Sequence, residues 1–295
     1  MNEKKKFNFY NRHSGNGKAE EVANWVIQEL KNHGQIAEKI LAINAVAAKQ
    51  ELKERINKFE RLICIGGDGT LNLVLTVLLK SQVQPTIGFI PAGTVNNFAR
   101  KWKIPLEPKP ALENILNGNQ QAIDIGECNG QAIVSSLIFG SLAEVSNQVR
   151  QRDKQRYGLK IYIWQAFKKL PQQKSQPIEF FNNEFSLQAK VWFCLLSTSN
   201  YIGGRKYLKK DDDGLHLTML NNLKLNKLFN YSYFALTGNL RRSTTLTSFD
   251  IKKIIIRSFA NERVSTRIDG DPGPFLPLSI SWHPHFINCY VPSTI

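Results

Sequence analysis

No apolar run in this chain approaches the roughly 18–20 residues a membrane-spanning helix needs. The opening MNEKKKFNFYN is basic, but its apolar segment is too short for a secretory signal, so a cytoplasmic location is expected. Cysteine is scarce. Cys64, Cys128, Cys194 and Cys289 are scattered without a CxxC pair, which argues against a zinc site or a disulfide framework. No repeat of fixed period and no low-complexity tract is present, which sets aside solenoids and wholesale disorder. Five histidines (His13, His33, His216, His283, His285) show no metal spacing beyond an HPH that reads as a loop. Acidic residues are in deficit: 24 Asp and Glu against 39 Lys and Arg leave a formal net charge of +15. That balance favours an anionic partner. The aromatic platforms and groove-reading motifs of nucleic-acid binders are missing, so anionic lipid or a phosphate substrate is the expected partner and nucleic acid is not.

What is present has the length of two domains: 295 residues, 42% hydrophobic. The first part alternates strand and helix signals. A strand at residues 6–10 runs into the loop NRHSGNGK, and a helical pattern over 20–31 places Val22, Trp25, Val26 and Leu30 on one face before His33-Gly34 stops it. A helical stretch is expected over 42–59, a strand over 61–65, a buried helix over 71–80 and a strand over 86–90. This is the grammar of a parallel α/β sheet. Beyond Asp124 strands dominate (191–197, 215–220, 252–257, 264–269, 278–282), interrupted by one helix over 158–170 that Pro171 closes. The expected architecture is an α/β nucleotide-binding domain over 1–122 followed by an antiparallel β-sandwich over 123–285. A final strand at 286–295 is expected to return to the first domain.

Two glycine turns carry the chemistry. Gly66-Gly67-Asp68-Gly69-Thr70 directly follows a buried strand. Glycines there let the backbone turn tightly and leave N–H groups free for phosphate oxygens, and the positive end of the next helix faces the same anion. Asp68 would repel a phosphate in a simple cradle. It makes sense holding a magnesium ion, a ribose hydroxyl or a positioning water, or else as a helix cap in a tight turn. The second turn, Pro91-Ala92-Gly93-Thr94-Val95-Asn96-Asn97, follows the next strand. Strand ends of a parallel sheet share one rim, so the two turns can converge on one ligand.

GGDGTLN followed by IGFIPAGTVNNFARKWKIP closely resembles the diacylglycerol kinase catalytic family, with sphingosine kinases as distant relatives. NRHSGNGKAE, IDIGECNGQ, DDDGLHLTML and RIDGDPGPFLPLSISWHPHFINCYVP extend the likeness nearly end to end, whereas NAD kinases share only the GGDGT turn. The resemblance implies an ATP- and magnesium-dependent lipid kinase with a phosphofructokinase-like nucleotide domain, a β-sandwich and an ATP site between them. By position, Asn11, Ser14, Gly15, Gly66, Gly67, Asp68, Gly69, Thr70, Thr94 and Asn97 would contact ATP. Asp68 and Asp124 would join the acidic and water network around magnesium. Asp211, Asp213 and the carbonyl of Leu215 would form a structural magnesium site, and Asp271 would be the general base.

The pattern breaks in three places. Asp271 stands where the family carries a glutamate, one methylene shorter. Asn97 stands where it usually carries an aspartate, and the segment 39–48 lacks the family's pattern. A kinase for another lipid (phosphatidylglycerol, a sphingoid base) or a non-catalytic nucleotide- and lipid-binding regulator are the alternatives. A bilayer substrate implies peripheral binding at the inner membrane surface. The basic residues Lys18, Arg100, Lys101, Lys103, Arg150, Arg152, Lys154, Arg156, Lys168 and Lys169 are candidates for it, with Trp102 and Trp164 as interfacial anchors. A homodimer is also implied by the resemblance.

Overall fold

A computed structural model of the chain describes residues 6–11, 18–42, 44–141, 175–202, 205–206, 214–221, 246–260 and 262–293. The expected helix over 158–170 with Trp164, the basic residues Arg150 to Lys169, and Ser14, Gly15, Asp211 and Asp213 lie outside the described residues. The chain divides into two compact units, one of residues 1–125, 130–134 and 283–295, the other of residues 126–129 and 135–282.

The first unit holds strands β1 (Lys6–Asn11), β2 (Ala37–Ala42), β3 (Arg61–Gly66) and β4 (Thr86–Pro91) in the order β2-β1-β3-β4, each neighbouring pair parallel. Its helices are α1 (Lys18–Asn32), α2 (Ala45–Arg55), α3 (Asp68–Leu78), α4 (Asn97–Lys101) and α5 (Pro108–Asn117). Strands β5 (Asn119–Cys128) and β6 (Gln131–Ile133) follow.

β3 is buried at every position after Arg61, because helices cover both faces of the sheet. Leu62 and Cys64 enter one core with Leu52 of α2 and Leu71, Val74 and Leu75 of α3. Ile63 and Ile65 enter the other, with Ala23, Val26 and Leu30 of α1 and Ala111 and Ile115 of α5. α1 buries Ala19, Ala23, Val26 and Leu30 at helical spacing. It ends at Gly34 (φ 67°), where Gly34 N–H and Gln35 N–H bond the carbonyls of Lys31 and Leu30, both at 2.9 Å.

Two expectations shift here. Residues 37–41, read as no element, form β2 together with Ala42, expected as the start of a helix. The helix expected over 42–59 begins only at Ala45, behind Asn44, whose side chain accepts from Ala47 N–H at 2.9 Å. α3 is apolar almost throughout, yet Asn72 and Thr76, one turn apart, carry β6: Asn72 Nδ2 donates to Ala132 O, and Ala132 N–H donates to Thr76 Oγ1 at 3.0 Å. These bonds tie residues 130–134 to the first unit.

The second unit is built of strands β7 (Ser136–Phe139), β8 (Gln176–Phe181), β9 (Ser186–Val191), β10 (Phe193–Ser197), β11 (Tyr201–Ile202), β12 (Arg205–Lys206), β13 (Leu215–Leu220), β14 (Leu246–Ile251), β15 (Lys253–Ser258), β16 (Thr266–Ile268) and β17 (Asp271–Pro272). One antiparallel sheet runs β14-β13-β10-β7-β16-β17. The other pairs β9, β8 and β15 with residues 278–281 of the last strand, β18 (Leu278–Val291). Buried Phe139 and Phe180 stack at 6.4 Å between centroids and join the two sheets into a sandwich. The later part of β18 belongs to the first unit. There Cys289 pairs in parallel with Ile87, and Ile287, Cys289 and Val291 enter the first core. The HPH at 283–285, expected as a loop between two strands, therefore lies inside a single strand. Pro284 is accommodated there beside His285, which leaves strand geometry at φ 50°.

Candidate active site

β3 and β4 end in register, Gly66 opposite Pro91, so their glycine turns emerge side by side. Ala92 N–H donates to Gly66 O at 2.8 Å, which continues the ladder one step past the strands. Beyond it the backbones touch. A Cβ placed on Gly93 would stand 2.5 Å from Gly67 Cα, so no larger residue fits without parting the turns. The convergence of the two turns is thus a backbone packing of glycine on glycine.

Asn96 shapes the second turn from within. It holds a left-handed conformation (φ 53°), accepts from Gly93 N–H at 3.2 Å and donates Nδ2 to Gly93 O at 2.9 Å. Asp68 locks the two turns together. Its Oδ2 accepts the N–H of Asn97 at 2.9 Å and its Oδ1 accepts that of Phe98 at 3.0 Å. The carboxylate is buried at 8% exposure, so these charge-assisted bonds are shielded from water. Asp68 therefore caps a helix, as the sequence allowed, but the helix is α4 of the neighbouring turn rather than its own. Phe98 drops into the core below, edge-on to Phe89 at 5.6 Å.

The other expected residues divide. Thr94 is exposed at the tip of the second turn, open to a ligand. Thr70 is buried, its side chain packed over Gly66, where a Cβ would stand 2.4 Å from Thr70 Oγ1. Asn97 is buried at 7% exposure and gives its backbone N–H to Asp68. Asn11 ends β1. Arg100 folds back, Nε to Val95 O at 3.0 Å. Lys101 lies over the ring of Trp102, 5.0 Å from its centroid, and Trp102 packs on Phe98. Asp124, on β5, accepts His285 N–H at 2.7 Å.

In the second unit, Ile268-Asp269-Gly270-Asp271 is a two-residue hairpin, Ile268 paired with Asp271. Asp269 (φ 52°) and Gly270 (φ 93°) take the consecutive left-handed conformations that such a turn demands. Asp271 is exposed on β17, the outer strand of its sheet. Its carboxyl is crowded enough that desolvation pushes its pKa above the usual aspartate range, and the positive charge of Arg267 works against that rise. Arg267 donates Nη1 to Gly270 O, and its Nε is buried without an acceptor among the described residues. Asp269, Ser135 and Arg267 were not expected at the site. The Asp-Gly pair inside the tetrad was the signal that could have exposed the hairpin.

Asp68 and Asp124 offer the hard oxygen donors that magnesium takes. Both already accept backbone N–H groups, Asp68 through each of its oxygens and Asp124 through Oδ1, which fixes how the carboxylates are turned. Among the described residues no group of three or more His, Cys, Asp or Glu side chains could hold a metal directly. Leu215 begins β13, fully buried, after Gly214 at φ 146°.

Comparison with known proteins gives this geometry a family. The family model of the diacylglycerol kinase catalytic domain matches residues 6–128. A diacylglycerol kinase of Staphylococcus aureus (strain JH9) is 30% identical over 242 residues, covering 80% of this chain and 76% of that protein. One of Bacillus subtilis (strain 168) is 28% identical over 240 residues, covering 80% and 77%. Two crystal structures from Bacillus anthracis share the fold at TM-scores of 0.80 and 0.74, with 20% and 17% identity; each covers 99% of this chain and 98% of the other, and the second is described as a diacylglycerol kinase. The chain belongs to the diacylglycerol kinase family, a family of lipid kinases.

Proposed function

We propose that the protein transfers the γ-phosphoryl group of ATP to the hydroxyl of diacylglycerol or a similar lipid. The observation that carries this reading is the pair of glycine turns locked together by Asp68. Phosphoryl transfer depends chiefly on positioning and electrostatic stabilisation, and paired turns at adjacent strand ends are rigid backbone suited to a triphosphate. Gly66, Gly67, Gly69, Gly93 and Thr94 would line the phosphate side. Asp68 and Asp124 would hold magnesium through water, and the ion would neutralise the phosphate oxygens. Asp271 takes the proton of the lipid hydroxyl as its oxygen bonds to the γ-phosphorus. The bond from that phosphorus to the β–γ bridging oxygen breaks, leaving ADP and a phosphorylated lipid such as phosphatidic acid. A carboxyl pKa raised by desolvation suits a general base.

The lipid stays in its membrane, so the protein must come to the surface. The formal charge of +15 supports attraction to anionic lipid, each Lys or Arg near the surface contributing about 1 kcal/mol. No described helix is long and apolar enough to cross a membrane. The test is a labelled-ATP assay with magnesium over a panel of diacylglycerol, phosphatidylglycerol and sphingoid bases in mixed micelles, with Asp271→Ala beside the wild type. Labelled lipid that disappears in Asp271→Ala is the expected result. Nucleotide binding without transfer to any lipid would overturn it. Vesicle sedimentation should show binding to anionic bilayers that weakens with salt, and equal binding to neutral vesicles would sink the electrostatic part.

A further inference from the structure

We infer that Asp269 is a positioning residue for phosphoryl transfer, its carboxylate pinning the Asp269-Gly270 turn to Ser135 and Ser136 and so fixing where Asp271 stands. This rests on the reading of Asp271 as the base.

A two-residue hairpin needs only residues tolerant of positive φ at its tip, a local demand that Asn or Gly meets as well as Asp. The bonds of Asp269 go well beyond that demand. Its Oδ1 accepts three hydrogen bonds, from Ser135 N–H at 2.7 Å, Ser135 Oγ–H at 2.8 Å and Ser136 N–H at 3.0 Å. Its own N–H donates to Ser136 O at 2.8 Å. Ser135 sits in the short link between β6 and β7 but is buried at 1% exposure, directly before Ser136 enters the sheet, so the anchor is held by its surroundings. Ser136 begins β7, and β7 pairs with β16, so the carboxylate locks the turn onto the strand beside it.

The need for such an anchor follows from the strands themselves. β16 has three residues and β17 two, and β17 is the outermost strand of its sheet. So short an edge ladder cannot by itself hold a side chain to catalytic tolerance. Misplacing a reacting group by about 1 Å can lower the rate on the order of a hundredfold. Asp269 supplies, from the other end of the turn, the rigidity the ladder lacks.

The experiment compares kcat and KM for ATP in wild type, Asp269→Gly, Asp269→Asn, Asp271→Ala and the double variant Asp269→Gly/Asp271→Ala, with the lipid acceptor that the panel identifies. Glycine keeps the left-handed turn and removes the anchor. Asparagine keeps the turn and one acceptor. The expected result is a kcat about tenfold or more lower for Asp269→Gly with KM for ATP within about twofold, and recovery of most of it in Asp269→Asn. Because Asp269 acts through Asp271, Asp269→Gly should cause no further loss in the Asp271→Ala background. Should Asp269→Gly fail to fold by circular dichroism, Ser135→Ala takes its place, removing only the Oγ bond; about a threefold lower kcat that vanishes in the Asp271→Ala background is then expected. Wild-type kcat in the anchor variant, or an equal loss in both backgrounds, overturns the inference while a slow Asp271→Ala leaves the base reading standing. Wild-type kcat in Asp271→Ala overturns both.

Discussion

Removing the Asp68 carboxylate should destabilise the first unit before any ligand is added. In Asp68→Ala the N–H groups of Asn97 and Phe98, now bonded at 2.9 and 3.0 Å, lose their acceptor, and both residues are buried. A hydrogen bond to a charged group contributes roughly 1.5–3 kcal/mol, and an unsatisfied buried donor adds its own desolvation penalty. Allowing for partial access of water at the start of α4, the expected loss is about 3 kcal/mol, or roughly 6–12 °C in melting temperature for a unit of this size. Asp68→Asn keeps the shape and one acceptor but turns an amide N–H₂ towards one of the two donors, so it should fall between. The assay is urea denaturation of nucleotide-free protein in chelator, following the first unit. If Asp68 served only a metal, its removal would leave that midpoint unchanged or raise it, since carboxylates gathered for function are commonly held against mutual repulsion. A midpoint within about 0.5 kcal/mol of wild type would refute the clamp.

Three further outcomes follow from the same geometry. Gly93→Ala should part the turns, because its Cβ would stand 2.5 Å from Gly67 Cα; a loss of roughly 1–3 kcal/mol is expected in melting, with nucleotide affinity falling at least about tenfold in a fluorescent-nucleotide titration. Activity should fall on acidification through the raised pKa of Asp271, so the acid limb of the kcat profile lies above the ordinary aspartate range. Arg267→Gln removes the charge that opposes that rise and should move the limb further up. Phe98→Ala empties the site against Phe89 in the first core, where Phe98 is 1% exposed, and should cost about 3–5 kcal/mol by thermal or chemical denaturation.

The part of the site that could be read in sequence was the part written locally. A short buried run followed at once by Gly66-Gly67, and a second followed by Ala92-Gly93, fixes both the strand ends and the turns, because glycine is required where backbones touch. β2 was missed because AEKILA shows little alternation; it is a strand through pairing with β1 along its whole length, a tertiary cause. Pro284 made the HPH read as a break, whereas β18 runs through it with His285 at φ 50° and its N–H on Asp124. The anchoring role of Asp269 was hidden for a different reason. Its partners Ser135 and Ser136 lie more than a hundred residues earlier, and no spacing rule links them.

β18 has a consequence for how the chain is made. The first unit takes its last core residues, Ile287, Cys289 and Val291, from the far end of the sequence. On the ribosome, strands β1 to β4 wait with the β4 edge unpaired while the sandwich residues emerge, and the arrival of residues 283–293 covers that edge. Both units thus reach their finished form together, and a nascent chain released short of that strand would present a bare apolar edge rather than a finished core.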